Sequence, residues 1–500
     1  MEQWLRNRRA KRKLHTPLLQ AIVVLVLLAG SFFAVPQSSW ADPKLKEIAM
    51  VKQPWKMAVN PVTNKIYIVN ANDDSVTIID GASNETTEVA VGKLPYAIAV
   101  NPITNKIYVT NSNSNNVTVI DGASNETTTV AVGEDPVAVA VNPVTNKIYV
   151  VNQGNSNFNQ GGSVKNGTFK RDNGSVTVVD GASNKTTTVA VEGNPFAVAV
   201  NPVTNKIYVI NGDDIVNDID GDYLEGVGHV TVIDGTSNKT KTIAAGRAPF
   251  AVAVNPVTNK IYVANFLSNN VTVIDGASNK TTTVKAGSEP KAVAVNPVTN
   301  KIYVVNNYGD NMTVIDGASN KTTTVKVGHR PFAVAANPVT NKIYSRNASN
   351  LTVIDGASNK TTTVMSGSMN DVAANPVTNK IFISQPSKKA VTIMDDAGRK
   401  ANPLRVAVKP MSGSKGKGQT FSFHVANSYS SAGPLVQGVY YQIDSTEGAW
   451  KSASRAGKDW TATVASLTSG EHTIYVWALE AQENGVPAGV ITAHPFRFGE

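Results

Sequence analysis

The amino-acid sequence predicts an all-β chain: an eight-bladed β-propeller closed by an N-terminal strand, followed by a C-terminal β-sandwich. Three observations lead there. The string Asn-Pro-Val/Ile-Thr-Asn-Lys-Ile-Tyr/Phe recurs eight times, beginning at Asn60, Asn101, Asn142, Asn201, Asn255, Asn296, Asn337 and Asn375. A second string, Asp-Gly-Ala/Thr-Ser-Asn-Lys/Glu-Thr, alternates with it from Asp80, Asp121, Asp180, Asp234, Asp275, Asp316 and Asp355, with a degenerate copy at Asp395. Finally, Ile48-Ala49-Met50-Val51 before Pro54 matches Val89-Ala90-Val91-Gly92 before Pro95, one repeat later, so the repeats open on an orphan fourth strand. A fixed period of this length dictates the architecture, because each unit must bury its faces against its neighbours.

Within one unit, residues 251–286 contain four short runs rich in Val, Ile, Thr and Tyr: 251–254, 260–264, 270–274 and 281–285. These compositions favour strands, and no run with helical periodicity competes. Asn255-Pro256 cannot continue a central strand, since proline has no N–H, and Asp275-Gly276 is expected to supply the positive φ of a tight hairpin. Four antiparallel strands repeated radially make a propeller. The last unit has three good strands and a poor fourth, so residues 47–51 are expected to complete it and leave no open edge. Residues 404–408 are the competing candidate for that place.

Ahead of the repeats, Arg6, Arg8, Arg9, Lys11, Arg12 and Lys13 precede an apolar run from Leu18 to about Val35 and the small-residue stretch Ser38-Ser39-Trp40-Ala41. This is the pattern of a Sec-type signal peptide cut after Ala41. Left uncleaved, it is just long enough to anchor the chain in a bilayer. The leader also holds most of the basic excess. The whole chain carries 46 Lys plus Arg against 37 Asp plus Glu, and residues 42–500 carry 40 against 36. Nucleic acid is therefore not expected as a partner. The chain has no cysteine, which excludes thiol nucleophiles, iron–sulfur clusters, Cys-ligated zinc, disulfides and lipoprotein acylation. The expected organisation is a signal peptide over 1–41, the propeller over 42–395, a linker over 396–403 and the sandwich over 404–500.

Tyr108-Val109-Thr110-Asn111 reads YVTN, and the same place holds Tyr67 to Asn70, Tyr149 to Asn152, Tyr208 to Asn211, Tyr262 to Asn265 and Tyr303 to Asn306. On these residues residues 44–400 resemble the YVTN-repeat β-propeller family, which is similar to surface-layer and periplasmic propellers of prokaryotes. The resemblance implies a seven-bladed ring as the alternative count. Tyr344-Ser345-Arg346-Asn347 and Phe382-Ile383-Ser384-Gln385 depart from the motif, which questions the regularity of blades 7 and 8. In the last hundred residues the repeat stops, and seven strand-like runs follow at 404–408, 420–426, 438–443, 449–452, 460–464, 472–479 and 490–498. With Trp450, Trp460 and Trp477 read as core residues, this part resembles the immunoglobulin-like or fibronectin-type-III modules of secreted bacterial proteins.

All length variation between the two repeated turns falls in the connection from the second strand to the third, in units three and four above all. One face of the ring is therefore uniform and the other individual, and binding specificity is placed on individual loops. The insert of unit three brings Phe158 and Phe169 beside Lys165, Lys170 and Arg171, and that of unit four brings Tyr223 among acidic residues. On the same face, Tyr96, Phe196, Phe250 and Phe332 follow the prolines that open the innermost strands, and Arg330 precedes one of them. These ten positions, Lys165 aside, are the candidate ligand or partner site. Asp218, Asp220 and Asp222 are candidate calcium ligands by their hard oxygens, although Tyr223 stands where an EF-hand requires glycine. No catalytic residue and no other cofactor is expected.

The function expected is that of an exported, non-catalytic binding or scaffold protein of the cell envelope or extracellular space, monomeric, with a protein or polysaccharide partner. It is expected to meet a membrane only through an uncleaved leader. The competing classes are a propeller enzyme, lactonase-like or quinoprotein-like, by fold analogy, and a structural surface-layer component.

Overall fold

The computed structural model describes residues 44–396, apart from 155–173, 213–215, 218–222, 225–227, 257, 298, 339, 376 and 377, together with 405–411, 419–426, 438–443, 451–464, 467, 470–479 and 492–498. The expected leader and residues 397–403 of the expected linker lie outside the described residues. Eight four-stranded antiparallel sheets succeed one another between residues 45 and 395. In blade 5, for example, the strands run Pro249–Asn255, Lys260–Asn265, Asn270–Asp275 and Thr281–Lys285 from the channel outward.

Burial explains the composition of each strand. Ile66, Tyr67, Ile68 and Val69 in the second strand of blade 1 are all fully buried, because neighbouring blades cover both sheet faces and an apolar run replaces alternation. The outermost strand, Thr86–Ala90, buries only Val89. Each core cluster joins two blades: Tyr67, Val76, Ile78 and Val89 of blade 1 pack against Ile107, Val109 and Ile120 of blade 2.

The ring closes as expected from the orphan strand. Leu45–Ala49 pairs antiparallel with Ala390–Asp395, with Ile48 opposite Val391. Ile48 and Met50 then join Met57, Ile66, Phe382 and Ile393 in the core between blades 8 and 1. Eight blades are present rather than seven. Blades 7 and 8 are complete despite their altered second strands, and the outer pair of blade 7 carries one bulge between Leu351 and Thr352.

The first repeated turn does more than reverse the chain. Asn60 accepts hydrogen bonds at Oδ1 from the Val62 and Thr63 amides, and its Nδ2 donates to Asn105 Oδ1 of the next blade at 2.8 Å. The same side-chain bond recurs from each blade to the next, ending with Asn375 of blade 8 donating to Asn64 of blade 1. A second belt runs beside it. Lys65 Nζ donates to the Gly122 carbonyl at 2.7 Å, its counterparts do likewise, and Lys380 of blade 8 reaches the Gly81 carbonyl. Blade 8 ends on Asp395-Asp396 without that glycine, and there Lys342 pairs with the buried Asp396 carboxylate at 2.5 Å.

The expectation for Asp-Gly is corrected. Gly276 does not hold the positive φ, which falls on Asn279 (φ 59°) and on Asn259 of the other turn (φ 52°). Glycine is required for a close approach: a Cβ on Gly276 would lie 2.1 Å from Asn259 Oδ1. The aspartate itself folds the turn. Asp80 Oδ1 accepts the Ser83 and Ala82 amides, and these bonds hold its carboxyl below the usual carboxylate range.

The C-terminal body has two four-stranded sheets. One contains Arg405–Met411, Gln419–Ala426, Asp459–Val464 and Ser454–Ala456; the other contains Lys451–Ser452, Gly438–Ile443, Gly470–Leu479 and Thr492–Phe498. Phe421, Phe423, Val439, Tyr441, Ile474 and Val476 form its core. The strand Ser454–Ala456 was not expected, so the described residues hold eight strands where seven were expected. Of the three tryptophans, Trp460 packs half-buried against this core; Trp450 and the side chain of Trp477 lie outside the described residues.

Candidate functional site

The innermost strands surround a central cavity of about 520 Å³. Its wall is built mainly from small and β-branched residues, among them Ile98, Val139, Val198, Val252 and Val293, and among the described residues Asp371 is the only ionisable one lining it. Asp371 stands at the end of the channel where the crossovers between blades enter. Alignment of the repeats shows how unusual it is. The second residue after the entry proline is Ala97, Ala138, Ala197, Ala251, Ala292 and Ala333 in six blades and Lys56 in blade 1; in blade 8, where Met369 replaces that proline, the same position holds Asp371.

Asp371 is internally satisfied. Its Oδ2 accepts the Met57 amide and its Oδ1 the Val372 amide, both at 2.9 Å. Burial nevertheless raises its pKa, against the pull of those two amides and of the nearby Lys56 and Arg346 charges. Ser384 Oγ accepts the Asp371 amide and donates to the Trp55 carbonyl, and Asn370 Nδ2 donates to that same carbonyl. The altered residues of blade 8 thus stitch it to blade 1 at the channel entrance.

Around this entrance the predicted residues Tyr96, Phe196, Phe250 and Phe332 come together with cations. Tyr96, Phe250 and Phe332 remain 37%, 42% and 36% exposed, so they face the mouth rather than filling the space between blades. Phe196 is half-buried, 5.8 Å from the Phe250 ring, which in turn lies 5.9 Å from Phe266. Lys56 Nζ sits 4.5 Å over the Tyr96 ring. Lys291 Nζ lies 4.2 Å from the Phe332 ring centre, 5.4 Å from that of Phe250 and 5.8 Å from that of Phe266. Arg346 donates to the Met369 carbonyl and lays its guanidinium 4.8 Å from the Phe332 ring centre. Burial depresses the pKa of all three cations.

The crossovers are fixed around this mouth. Leu94, Ala248, Glu289 and Arg330 all adopt left-handed backbone, a conformation costly for residues with a Cβ. Side chains at the start of the third strand help to hold it: Asp74 accepts the Leu94 amide, Asn269 the Glu289 amide and Asp310 the Arg330 amide. Arg330 is exposed, 5.9 Å from the Tyr308 ring.

Phe158, Phe169, Lys170, Arg171 and the calcium candidates Asp218, Asp220 and Asp222 lie outside the described residues. Tyr223 belongs to a two-residue strand, Tyr223–Leu224, paired with Val216–Asn217, and its side chain is outside them as well. Lys56, Phe266, Lys291, Arg346 and Asp371 were missed as site residues. The signal for three of them was present as a break in the repeat: charge where other blades have alanine, or an arginine in the third place of the YVTN string.

No protein-family model and no curated protein sequence matches the chain. Among solved structures it is similar to Kuenenia stuttgartiensis hydrazine synthase, with 17% identity over 72% of this chain and 99% of that one and a TM-score of 0.47. It is also similar to a chain of a mitotic checkpoint complex, with 12% identity over 76% of this chain and 99% of that one and a TM-score of 0.46.

Proposed function

We propose that this chain is an exported, non-catalytic binding module of the cell envelope or extracellular space, a YVTN-repeat propeller that takes its ligand at the crossover-side mouth of the channel. One observation carries the reading. Exposed aromatic rings and half-buried cations gather at the mouth, where blades 1 and 8 replace the alanine of the other six blades by Lys56 and Asp371. Solvent-facing aromatics and charges on a rigid scaffold are where recognition energy is concentrated, whereas the opposite face repeats the same belt of internal bonds in every blade. A catalytic reading would have to use Asp371, but both its oxygens already accept backbone amides, which suits a blade-closing role. The test is retention of the full chain on immobilised envelope and extracellular polysaccharide and protein fractions. Phe250→Ala with Phe332→Ala should abolish retention, and Lys185→Ala with Lys239→Ala on the opposite turns should leave it intact. Retention that ignores the first pair and follows the second would overturn the choice of face.

A further inference from the structure

Lysines with buried stems in this propeller are, as a rule, given an oxygen. Each of the eight belt lysines donates to a carbonyl, or in blade 7 to a carboxylate, of the following blade. Lys56 and Lys291 are the exceptions. Both are partly buried, and among the described residues neither ammonium donates a hydrogen bond or has a carboxylate oxygen within 4 Å. Lys56 feels the charge of Asp371 only at a distance, and Lys291 that of Glu289. What each ammonium touches is aromatic: Tyr96 for Lys56, and Phe332, Phe250 and Phe266 for Lys291. A desolvated ammonium without an acceptor is costly. Both sites therefore favour an incoming anionic oxygen.

The surroundings narrow the class. An inorganic anion would satisfy the ammonium and leave the exposed parts of Tyr96, Phe250 and Phe332 in water. A pyranose carries an apolar C–H face that covers a ring, and a uronate carries its carboxylate at the rim of that face, so one residue can meet a ring and its lysine together. The two ring-and-lysine pairs stand on different arcs of the mouth, one on blades 1 and 2 and the other on blades 5 to 7. A ligand that uses both must hold at least two linked units. Arg346, whose guanidinium spends donors on the Met369 carbonyl and carries five in all, lies between the arcs and suits ring hydroxyls or a further carboxylate.

We infer that the mouth receives an acidic oligosaccharide, with uronate carboxylates on Lys56 and Lys291 and sugar faces on Tyr96, Phe250 and Phe332. This deepens the function proposed above and rests on it. The probe is oligogalacturonate titrated calorimetrically into the full chain, beside its methyl ester, which keeps the sugar and removes the charge, and beside polyglutamate, which keeps the charge and removes the sugar. The acid should bind, and the ester and the polyglutamate should each bind about tenfold or more weakly, since one charge-assisted bond is worth that much. Lys56→Gln and Lys291→Gln should each weaken the acid by a similar factor while the melting temperature holds, and the double variant should lose binding. Equal affinity for acid and ester, equal affinity for polyglutamate, or indifference to both lysine substitutions would refute the inference. If no uronate binds while retention on envelope fractions still depends on Phe250 and Phe332, the ligand class is wrong and the binding face stands. If retention is also indifferent to those two residues, the functional reading itself fails.

Discussion

The two faces of the ring are made from the same eight units and use them in opposite ways. On the turn face every blade repeats one bond from asparagine to asparagine and one from lysine to the next blade, and the only variation is the replacement of a glycine carbonyl by Asp396. On the crossover face the equivalent positions diverge: Trp55, Tyr96, Val137, Phe196, Phe250, Lys291, Phe332 and Asn370 stand in one place of successive blades. Repetition serves geometry, since a ring closes when its interface rotations sum to one full turn and identical interfaces supply that sum in equal steps. Chemistry enters where that constraint is absent. Perturbing the turn face should therefore cost stability without affecting recognition, and perturbing the mouth should do the reverse.

The largest effect should come from opening the ring. A chain beginning at residue 52 loses the strand Leu45–Ala49 and with it Ile48 and Met50 from the core between blades 8 and 1. Ile48→Ala alone should cost about 2–5 kcal/mol, the usual range for such a cavity, and the truncation more. It also bares the edge of Ala390–Asp395, so denaturant unfolding should report the lost stability and light scattering should report self-association. A truncated chain as stable as its parent would mean that the closing strand is dispensable.

Alkali should act next, and through the buried tyrosines of blades 1 to 6 together. Burial, helped by the Asp121 charge, pushes Tyr67 up to about 12, and burial pushes Tyr108, Tyr149, Tyr208, Tyr262 and Tyr303 higher still. Unfolded tyrosine titrates near 10. Between those values the native state holds more protons than the unfolded one, so stability is intact below about pH 10 and falls as pH rises toward 12. Tyrosinate absorbance and far-UV circular dichroism should change in one cooperative step. Phenols that titrate independently near pH 10 in an intact fold would contradict the burial.

A single belt substitution should cost less. Asn142 is fully buried, donates to Asn205 Oδ1 at 2.8 Å and accepts the Val144 and Thr145 amides. Asn142→Ala strands those partners and should cost about 1–3 kcal/mol, read by denaturant unfolding. Retention on ligand fractions should be unchanged. A loss of retention equal to that at the mouth would erase the distinction between the faces.

These contrasts also explain what could be read from the sequence. The blade count, the closing strand and the site of the insertions are set by spacing, which sequence displays directly. The role of Gly276 is not, because positive φ and close approach both demand glycine, and only the position of Asn259 separates them. The belt lies hidden inside a motif that turn formation alone is enough to explain: Asn60 serves its own turn with Oδ1 and the next blade with Nδ2. At the mouth, Tyr96, Phe196, Phe250 and Phe332 were visible as the residues after four of the entry prolines. Lys56 and Asp371, one position further on, were legible as charges amid alanines, but their meeting required knowledge that blades 1 and 8 are neighbours.

The smallest effect on stability, and the one that separates the faces most sharply, is expected for Lys56→Met and Lys291→Met. An unpaired neutral polar group costs roughly 1–3 kcal/mol to bury and an ammonium more, less so where it stays partly solvated, while its attraction to an aromatic face returns about 0.5–1 kcal/mol. Removing the charge while keeping an unbranched apolar stem should thus leave the ring as stable as before, or more stable by on the order of 1 kcal/mol. The pH dependence gives the sign independently. Burial holds both lysines below their ordinary value of 10.5, against Asp371 for Lys56 and against Glu289 for Lys291. The cost of the charge is therefore present at neutral pH and fades as pH rises through the depressed pKa toward 10.5. Melting curves at pH 7 and near pH 10 should show the variants' advantage at the first and its disappearance at the second. Variants that melt early at pH 7, as Asn142→Ala should, would show that the two lysines hold the ring together, and the mouth would then belong with the belt as a structural device.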